Sequence, residues 1–435
     1  MLELIDAREV TTSTHLSRPQ PVASKAGVER DVAAIVNDVA SRGDAAILEY
    51  SASLDGVKLS ASELRVDPEL IKKSTSLVRP ELVEALRFMR DRLKTTCERQ
   101  MPSPWMERSP GAFVGELIRP VRRAGVYVPG GRAAYPSTVI MGTTPALVAG
   151  VEGIAICSPP SVSGDIPEPV LAACAIAGVD EVYKVGGAQA IAALAFGTDS
   201  IRPVDKIVGP GNIYVTVAKR LVRERVGTDS DAGPTEIVIV ADESADPRAI
   251  AADLVSQAEH GPLGSHVLIS WSPQLVERVL AVIELEVSGH RDPEGLENAL
   301  IEGGSAVLVR DIDQAMEVAN NFAPEHLELI FEGATDAIER VHSAGAVFVG
   351  PFTPVASGDY VAGTNHVLPT GGSARWSSGL GPQDFLKRIY VCSLEEEALR
   401  RFAPHVDALA EAETLHAHAR SVHARFADGA RGGTS

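Results

Sequence analysis

The chain has 435 residues, 45% of them hydrophobic and 23% charged, a balance that supports buried cores and excludes a disordered chain. With 40 Lys+Arg against 58 Asp+Glu the formal net charge is −18, which opposes nonspecific binding to nucleic acid or an anionic membrane and favours small-molecule partners. The four cysteines, Cys97, Cys157, Cys174 and Cys392, stand far apart without CxxC spacing, so neither a disulfide framework nor a thiolate zinc site is expected, only free buried thiols.

The first residues, MLELIDAREV, carry no basic start and no apolar run, and no stretch approaches the ~20 apolar residues of a membrane span. A soluble cytoplasmic protein is the expectation. Up to about residue 110 the pattern is helical, as in VERDVAAIVNDVASRGDAAILEY and PELVEALRFMRDRLKTT, where apolar residues recur every three or four positions. From GVYVPGG onward short β-branched runs (GVYV, GIAIC, EVYKV, KIVG, EIVIV) alternate with helix-like stretches, the pattern of parallel strands joined by helical crossovers. The alternation resumes with RAIAADLVSQAEHG, HVLIS, SAVLVR, AMEVANNF, LELIF, DAIERVHSAG and AVFVG, and the chain turns helical again after PTGGSARWSSGLGPQDF. The last residues, ADGARGGTS, are expected to fray. The predicted fold is α/β, with two Rossmann-like, incomplete parallel-sheet domains and helical N-terminal and C-terminal extensions. Its parts are an arm (1–24), a first α/β domain (25–125 plus 239–380), a second α/β domain (126–238) and a helical tail (381–435).

Three glycine turns, VPGGRAAYPST, VGGAQA and VGPGN, each follow a predicted strand and precede a helix. Backbone N–H groups can approach a pyrophosphate there, although ordinary tight turns explain each equally well. In DPRAIAADLVSQAEHG, Asp246 is placed as N-cap, Pro247 at the first helical position and Gly261 beyond the end. Gln257 and His260 then share a face, either as water-facing polar residues or as two donors to a metal. GDYVAGTNHVLPT presents Asp359 and His366 in a glycine-bearing loop. In AETLHAHARSVHARF, Leu415, His418 and Val422 fall on one helical face, which makes His418 either a core histidine or a ligand. Gln257, His260, Asp359 and His418 together form a nitrogen/oxygen set suited to zinc, with manganese, cobalt and nickel as alternatives. In NNFAPEHLEL, Glu325 and His326 stand side by side after Pro324, an acid/base pair or simply two polar residues of a turn.

With these residues laid out, the chain resembles the histidinol dehydrogenase family along nearly its whole length. The blocks that carry the likeness are GVYVPGGRAAYPSTVIM, YKVGGAQAIAALAFGT, VDKIVGPGNIYV, AGPTEIVIVADE, LVSQAEH, APEHLEL, GDYVAGTNHVLPT and AETLHAH. The resemblance implies oxidation of L-histidinol through L-histidinaldehyde to L-histidine, the last steps of histidine biosynthesis, with two NAD and one Zn2+ per subunit. It implies Gln257, His260, Asp359 and His418 as metal ligands and Glu325 and His326 as the catalytic pair. Tyr127, Gln189 and Asn212 fall where the family contacts NAD. Thr235, His326, His366 and Glu413, besides the ligands, fall where it contacts substrate. A homodimer is implied, with the helical tail crossing so that Glu413 and His418 complete the partner's site. AGPTE carries Thr235 where serine is common in the family, so the hydroxyl is kept and a methyl added. Cys157 ends an apolar strand without a basic neighbour in sequence and is read as a buried thiol, not a nucleophile. Two rival readings are a related zinc and NAD dehydrogenase for another small polar alcohol and a non-catalytic α/β ligand-binding protein.

Overall fold

The computed structural model describes residues 2–10, 16–19, 25–130, 133–230, 233–261 and 263–426. The ADGARGGTS tail and, of the expected N-terminal arm, residues 1, 11–15 and 20–24 lie outside them. Along the chain the strands are β1 (Glu3–Asp6), β2 (Trp105–Ser109), β3 (Ala112–Pro120), β4 (Arg123–Tyr127), β5 (Gly153–Ser158), β6 (Val182–Lys184) and β7 (Lys206–Val208). They continue as β8 (Gly227–Thr228), β9 (Glu236–Ala241), β10 (Ser265–Ser270), β11 (Gly304–Leu308), β12 (His326–Ile330), β13 (Ala346–Val349) and β14 (Leu386–Leu394). Two compact units result, one of residues 1–100 and 121–385, the other of 101–120 and 386–435.

The first unit holds two parallel sheets, of order β1-β11-β10-β9-β12-β13 and β6-β5-β4-β7-β8. In the six-stranded sheet, β9 is buried along its whole length, as expected for a central strand with helices on both faces. Ile237, Ile239 and Ala241 enter one apolar cluster, and Val238 and Val240 enter the opposite one, because successive side chains of a strand point to opposite faces. The helix Pro247–Ala258 has the predicted start, with the Asp246 carboxylate accepting the Arg248 N–H. It buries Ile250, Ala251 and Leu254 in the first of these clusters.

One expected boundary is corrected. The helices Lys25–Arg42 and Asp44–Leu54 do not share layers with residues 239–380. Val28, Val32, Val36, Val39 and Ile47 pack with Ile191, Leu194 and Val215 on the five-stranded sheet, and the helix Pro80–Gln100 packs on the helices Pro136–Ala149 and Glu168–Ala177, the crossovers before and after β5 of that sheet. An amphipathic stripe shows that a helix has a face to bury but not which sheet receives it. DAIERVHSAG, read among the helix-like stretches, forms only the 3-10 turn Ile338–Arg340.

The second unit is built on an antiparallel sheet of order β14-β3-β2, followed by the helices Glu396–Ala412 and His416–His423. Residues 381–435 are therefore not all helical, and residues 101–120 join them. The β3 and β14 partners lie some 270 positions apart, as in Glu116 opposite Tyr390, too far for any local pattern to reveal. Among the described residues no helix is long and apolar enough to cross a membrane.

Candidate active site

The two sheets of the first unit present their candidate residues at opposite ends of their strands. On the five-stranded sheet the three glycine turns lie at the carboxyl ends of β4, β6 and β7, the usual ligand-binding edge of a parallel sheet. Tyr127 closes β4, and its hydroxyl accepts the Gly187 N–H at 3.1 Å. Gln189 is buried, with its Oε1 lacking a partner and its Nε2 3.5 Å from Asp55 Oδ2. Asn212 is exposed and caps the helix Ile213–Leu221 through its Oδ1, which accepts the N–H groups of Tyr214 and Val215. Gly209, at φ 114°, admits no side chain, since a Cβ would sit 2.2 Å from the Tyr127 carbonyl oxygen. The buried Lys219–Asp229 ion pair grips this turn from both sides. Asp229 Oδ2 accepts the Gly209 N–H at 2.7 Å, and Lys219 Nζ donates to the Gly209 carbonyl at 3.0 Å.

On the six-stranded sheet the catalytic candidates gather at the amino ends of β9 and β12. The helix Ile312–Phe322 ends at Ala323, whose φ of 54° is left-handed, and Pro324 and Glu325 lead into β12 at His326. Gly345 and Ala346 donate to the carbonyls of Pro324 and Glu325 at 2.9 Å each, fixing that entry. His326 Nδ1 lies 2.9 Å from the Glu236 carbonyl oxygen. A carbonyl only accepts, so Nδ1 carries the proton and the lone pair stays on Nε2. That Nε2 is buried and has no partner. Burial holds His326 below the ordinary imidazole pKa, while the Asp359 carboxylate pulls it back up.

Glu325 is also buried. Its Oε2 accepts the Glu236 N–H at 3.0 Å and stands 2.9 Å from Thr235 Oγ1, which is 2.7 Å from Gln257 Oε1. The threonine hydroxyl has one proton for two acceptors. Both contacts are satisfied when it donates to Gln257 and a protonated Glu325 donates to it. Burial pushes Glu325 well above the usual carboxylate range in keeping with this, and the charges of Glu236 and Asp359 add to the effect. Threonine in place of serine therefore keeps the hydroxyl in use.

Gln257 is buried in the last turn of its helix, and His260 follows just beyond the helix end. Asp359 lies in the short helix Val355–Tyr360 and not in a loop as expected. His366, half-buried, is driven down to about 4 by burial and also feels His326 and His260. Glu413 and His418 belong to the second unit and are exposed, so His418 is not a core histidine of this chain. Among the described residues no group of three or more His, Cys, Asp or Glu side chains converges on a metal position. Even so, Gln257, His260 and Asp359 fit a cation. Among the described residues no hydrogen-bond donor reaches the Asp359 carboxylate and no partner bonds the His260 ring, and burial raises the Asp359 pKa. Such a set of amide oxygen, imidazole and carboxylate without thiolate suits zinc.

Sequence reading missed Asp253, Glu328 and the Lys219–Asp229 pair, because a lone charged residue in an apolar stretch was the only signal for each. It also took every cysteine as buried, whereas Cys392 is exposed. Cys157 is fully buried and its thiol is pushed far up, first by burial and then by Glu181, so a thiolate nucleophile is disfavoured. Cys157→Ser is expected to keep most turnover, measured on folded protein of unchanged zinc content. Loss of turnover in that variant would restore a cysteine mechanism.

Glycine turns at the carboxyl ends of one parallel sheet, and an imidazole with a free lone pair beside a buried carboxyl at the amino ends of the other, suit an oxidoreductase of the dehydrogenase type. The histidinol dehydrogenase family model matches residues 18–426. A histidinol dehydrogenase of Synechococcus sp. is 46% identical over 398 residues, 91% of this chain and 92% of the relative, and that of Moorella thermoacetica is 45% identical over 98% of this chain and 100% of its own. The crystal structure of histidinol dehydrogenase from Elizabethkingia anophelis superposes with a TM-score of 0.90 at 31% identity, covering 98% of each chain. The chain belongs to the histidinol dehydrogenase family.

Proposed function

We propose that the protein oxidises L-histidinol to L-histidine in two hydride transfers, using two NAD and one zinc per subunit, in a homodimer whose second-unit residues Glu413 and His418 complete the partner's site. The observation that carries this reading is His326, whose Nδ1 is fixed by the Glu236 carbonyl with the Glu325 carboxyl 3.6 Å away, and whose buried Nε2 keeps its lone pair. Gln257, His260, Asp359 and His418 would hold the zinc, and Tyr127, Gln189 and Asn212 would border the NAD. When bound, the zinc supplies positive charge that orients the imidazole and amine of the substrate and favours ionised Glu325.

In the first oxidation His326 Nε2 accepts the hydroxyl proton of the alcohol as hydride leaves the carbinol carbon for NAD, and the Glu236 carbonyl stabilises the resulting imidazolium through Nδ1–H. In the second, Glu325 in its ionised form takes a proton from the water that adds to the aldehyde while the His326 imidazolium returns its proton to the aldehyde oxygen, which gives the neutral diol and frees Nε2 again. His326 then accepts the proton of the diol as the second hydride departs. Thr235 ties the Glu325 carboxyl to Gln257 through one hydroxyl, and the Glu236 carbonyl holds the His326 ring, so each proton handler keeps its place between steps. His366, neutral at physiological pH, faces the substrate with Glu413.

L-histidinol supplied with NAD and zinc is expected to yield two NADH per histidine. Turnover only with other small alcohols would replace the substrate assignment, and no turnover with any alcohol would leave a binding protein. Glu325→Gln is expected to slow oxidation of the aldehyde at least tenfold more than oxidation of the alcohol, about 1.4 kcal/mol of selective barrier, with zinc retained. Equal loss in both half-reactions, assayed separately, would remove the division of labour.

A further inference from the structure

Glu328 lies two residues beyond His326 in β12 and is fully buried. Its Oε1 accepts the Val355 N–H at 3.0 Å, while its Oε2 finds no donor. The neighbour at hydrogen-bonding reach is another carboxyl, that of Asp253 in the helix Pro247–Ala258. Two ionised carboxylates cannot bond, but a carboxylic acid and a carboxylate can. Burial raises Asp253 to about 6 and Glu328 well above the carboxylate range, so the pair holds one proton at neutral pH.

The three elements that meet at this pair are those that carry the site. Asp253 stands one helical turn before Gln257, and Val355 stands one turn before Asp359. Glu328 and His326 point to the same face of β12. We propose that Asp253 and Glu328 share a single proton and act as positioning residues, joining the Pro247–Ala258 helix, β12 and the Val355–Tyr360 helix so that Gln257, His260, Asp359 and His326 are in place before zinc binds. This rests on the zinc reading of the site but adds to it two residues that touch neither metal nor substrate. Partners that orient metal ligands from behind typically account for 10- to 100-fold of metal affinity.

The test compares full-length Asp253→Ala and Glu328→Leu with Asp253→Asn and Glu328→Gln, in which an amide supplies the donor that the shared proton supplies in the native pair. Zinc affinity is measured by chelator competition, and protonated carboxyls by infrared difference spectroscopy against the native protein at neutral pH. Asp253→Ala and Glu328→Leu are expected to bind zinc about 10- to 100-fold more weakly, the amide variants close to the native protein, and both amide variants to lose one protonated-carboxyl band. Asp253 is half-buried on a helix, so its alanine variant carries the test if Glu328→Leu fails to fold. Native zinc affinity in Asp253→Ala, or asparagine no better than alanine, overturns the positioning role. A band that survives in both amide variants overturns the shared proton. Absence of zinc uptake by the native protein would instead sink the zinc reading, and the infrared band would still decide on the proton.

Discussion

His326→Ala is expected to lower kcat and kcat/KM together by about 10²- to 10⁴-fold, the usual contribution of a positioned general base, while zinc content stays unchanged. The geometry also sets a sign for the pH dependence. Only neutral Nε2 accepts a proton, so activity is lost as pH falls through the His326 pKa and retained above it. Burial lowers that pKa below the ordinary imidazole value and Asp359 only partly opposes the shift, so the acid limb of kcat/KM is expected below ~6.5. In His326→Ala the residual rate should lose that limb. A variant that keeps both its rate and its acid limb would transfer the base role to another group, with Glu325 as the first candidate because its carboxyl stands 3.6 Å from His326 Nδ1.

Lys219→Met is expected to destabilise the protein by about 3–5 kcal/mol, since it strands a buried carboxylate without its cation. Lys219 and Asp229 are 2% and 5% exposed, so solvent screening removes little of this effect. Both peptide groups of Gly209 would loosen with the pair, and with them the turn that presents Asn212. Urea unfolding measures the loss, and KM for NAD reports on the turn. Adding Asp229→Asn removes the stranded charge and leaves an oxygen to accept the Gly209 N–H, so the double variant should recover a large part of the stability. A single variant within about 0.5 kcal/mol of the native protein, the range of neutral surface changes, would mean that the pair is far better hydrated than its burial implies.

Much of this was legible along the chain. Asp246, Pro247 and the apolar spacing after them specify a capped helix whose last turn bears Gln257, because caps and periodicity act within a few residues. EIVIV and LELIF read as strands of a parallel sheet for the same reason, and β9 and β12 cover most of them. The chemistry-bearing residues could be listed, and their order along the chain matched one family over nearly its full length. Which protonation state each would adopt could not be read, because that depends on neighbours distant in sequence. The tautomer of His326 is set by Glu236, 90 positions away, and the contact between Glu325 and Thr235 spans the same separation.

The sequence by itself therefore determined the parallel α/β class, the start of the Pro247–Ala258 helix and the set of residues able to bind metal and move protons, all consequences of local spacing and residue chemistry. Only the tertiary structure decided that residues 25–100 clothe the five-stranded sheet, that 101–120 pair with 386–394, and that the acid/base cluster lies at the amino ends of one sheet while the glycine turns lie at the carboxyl ends of the other. It also brought Glu328 against Asp253. Apolar patterning tells each element which face to bury but not against which partner, and burial, which depends on that partner, sets the charge that Glu325, His326 and Glu328 carry.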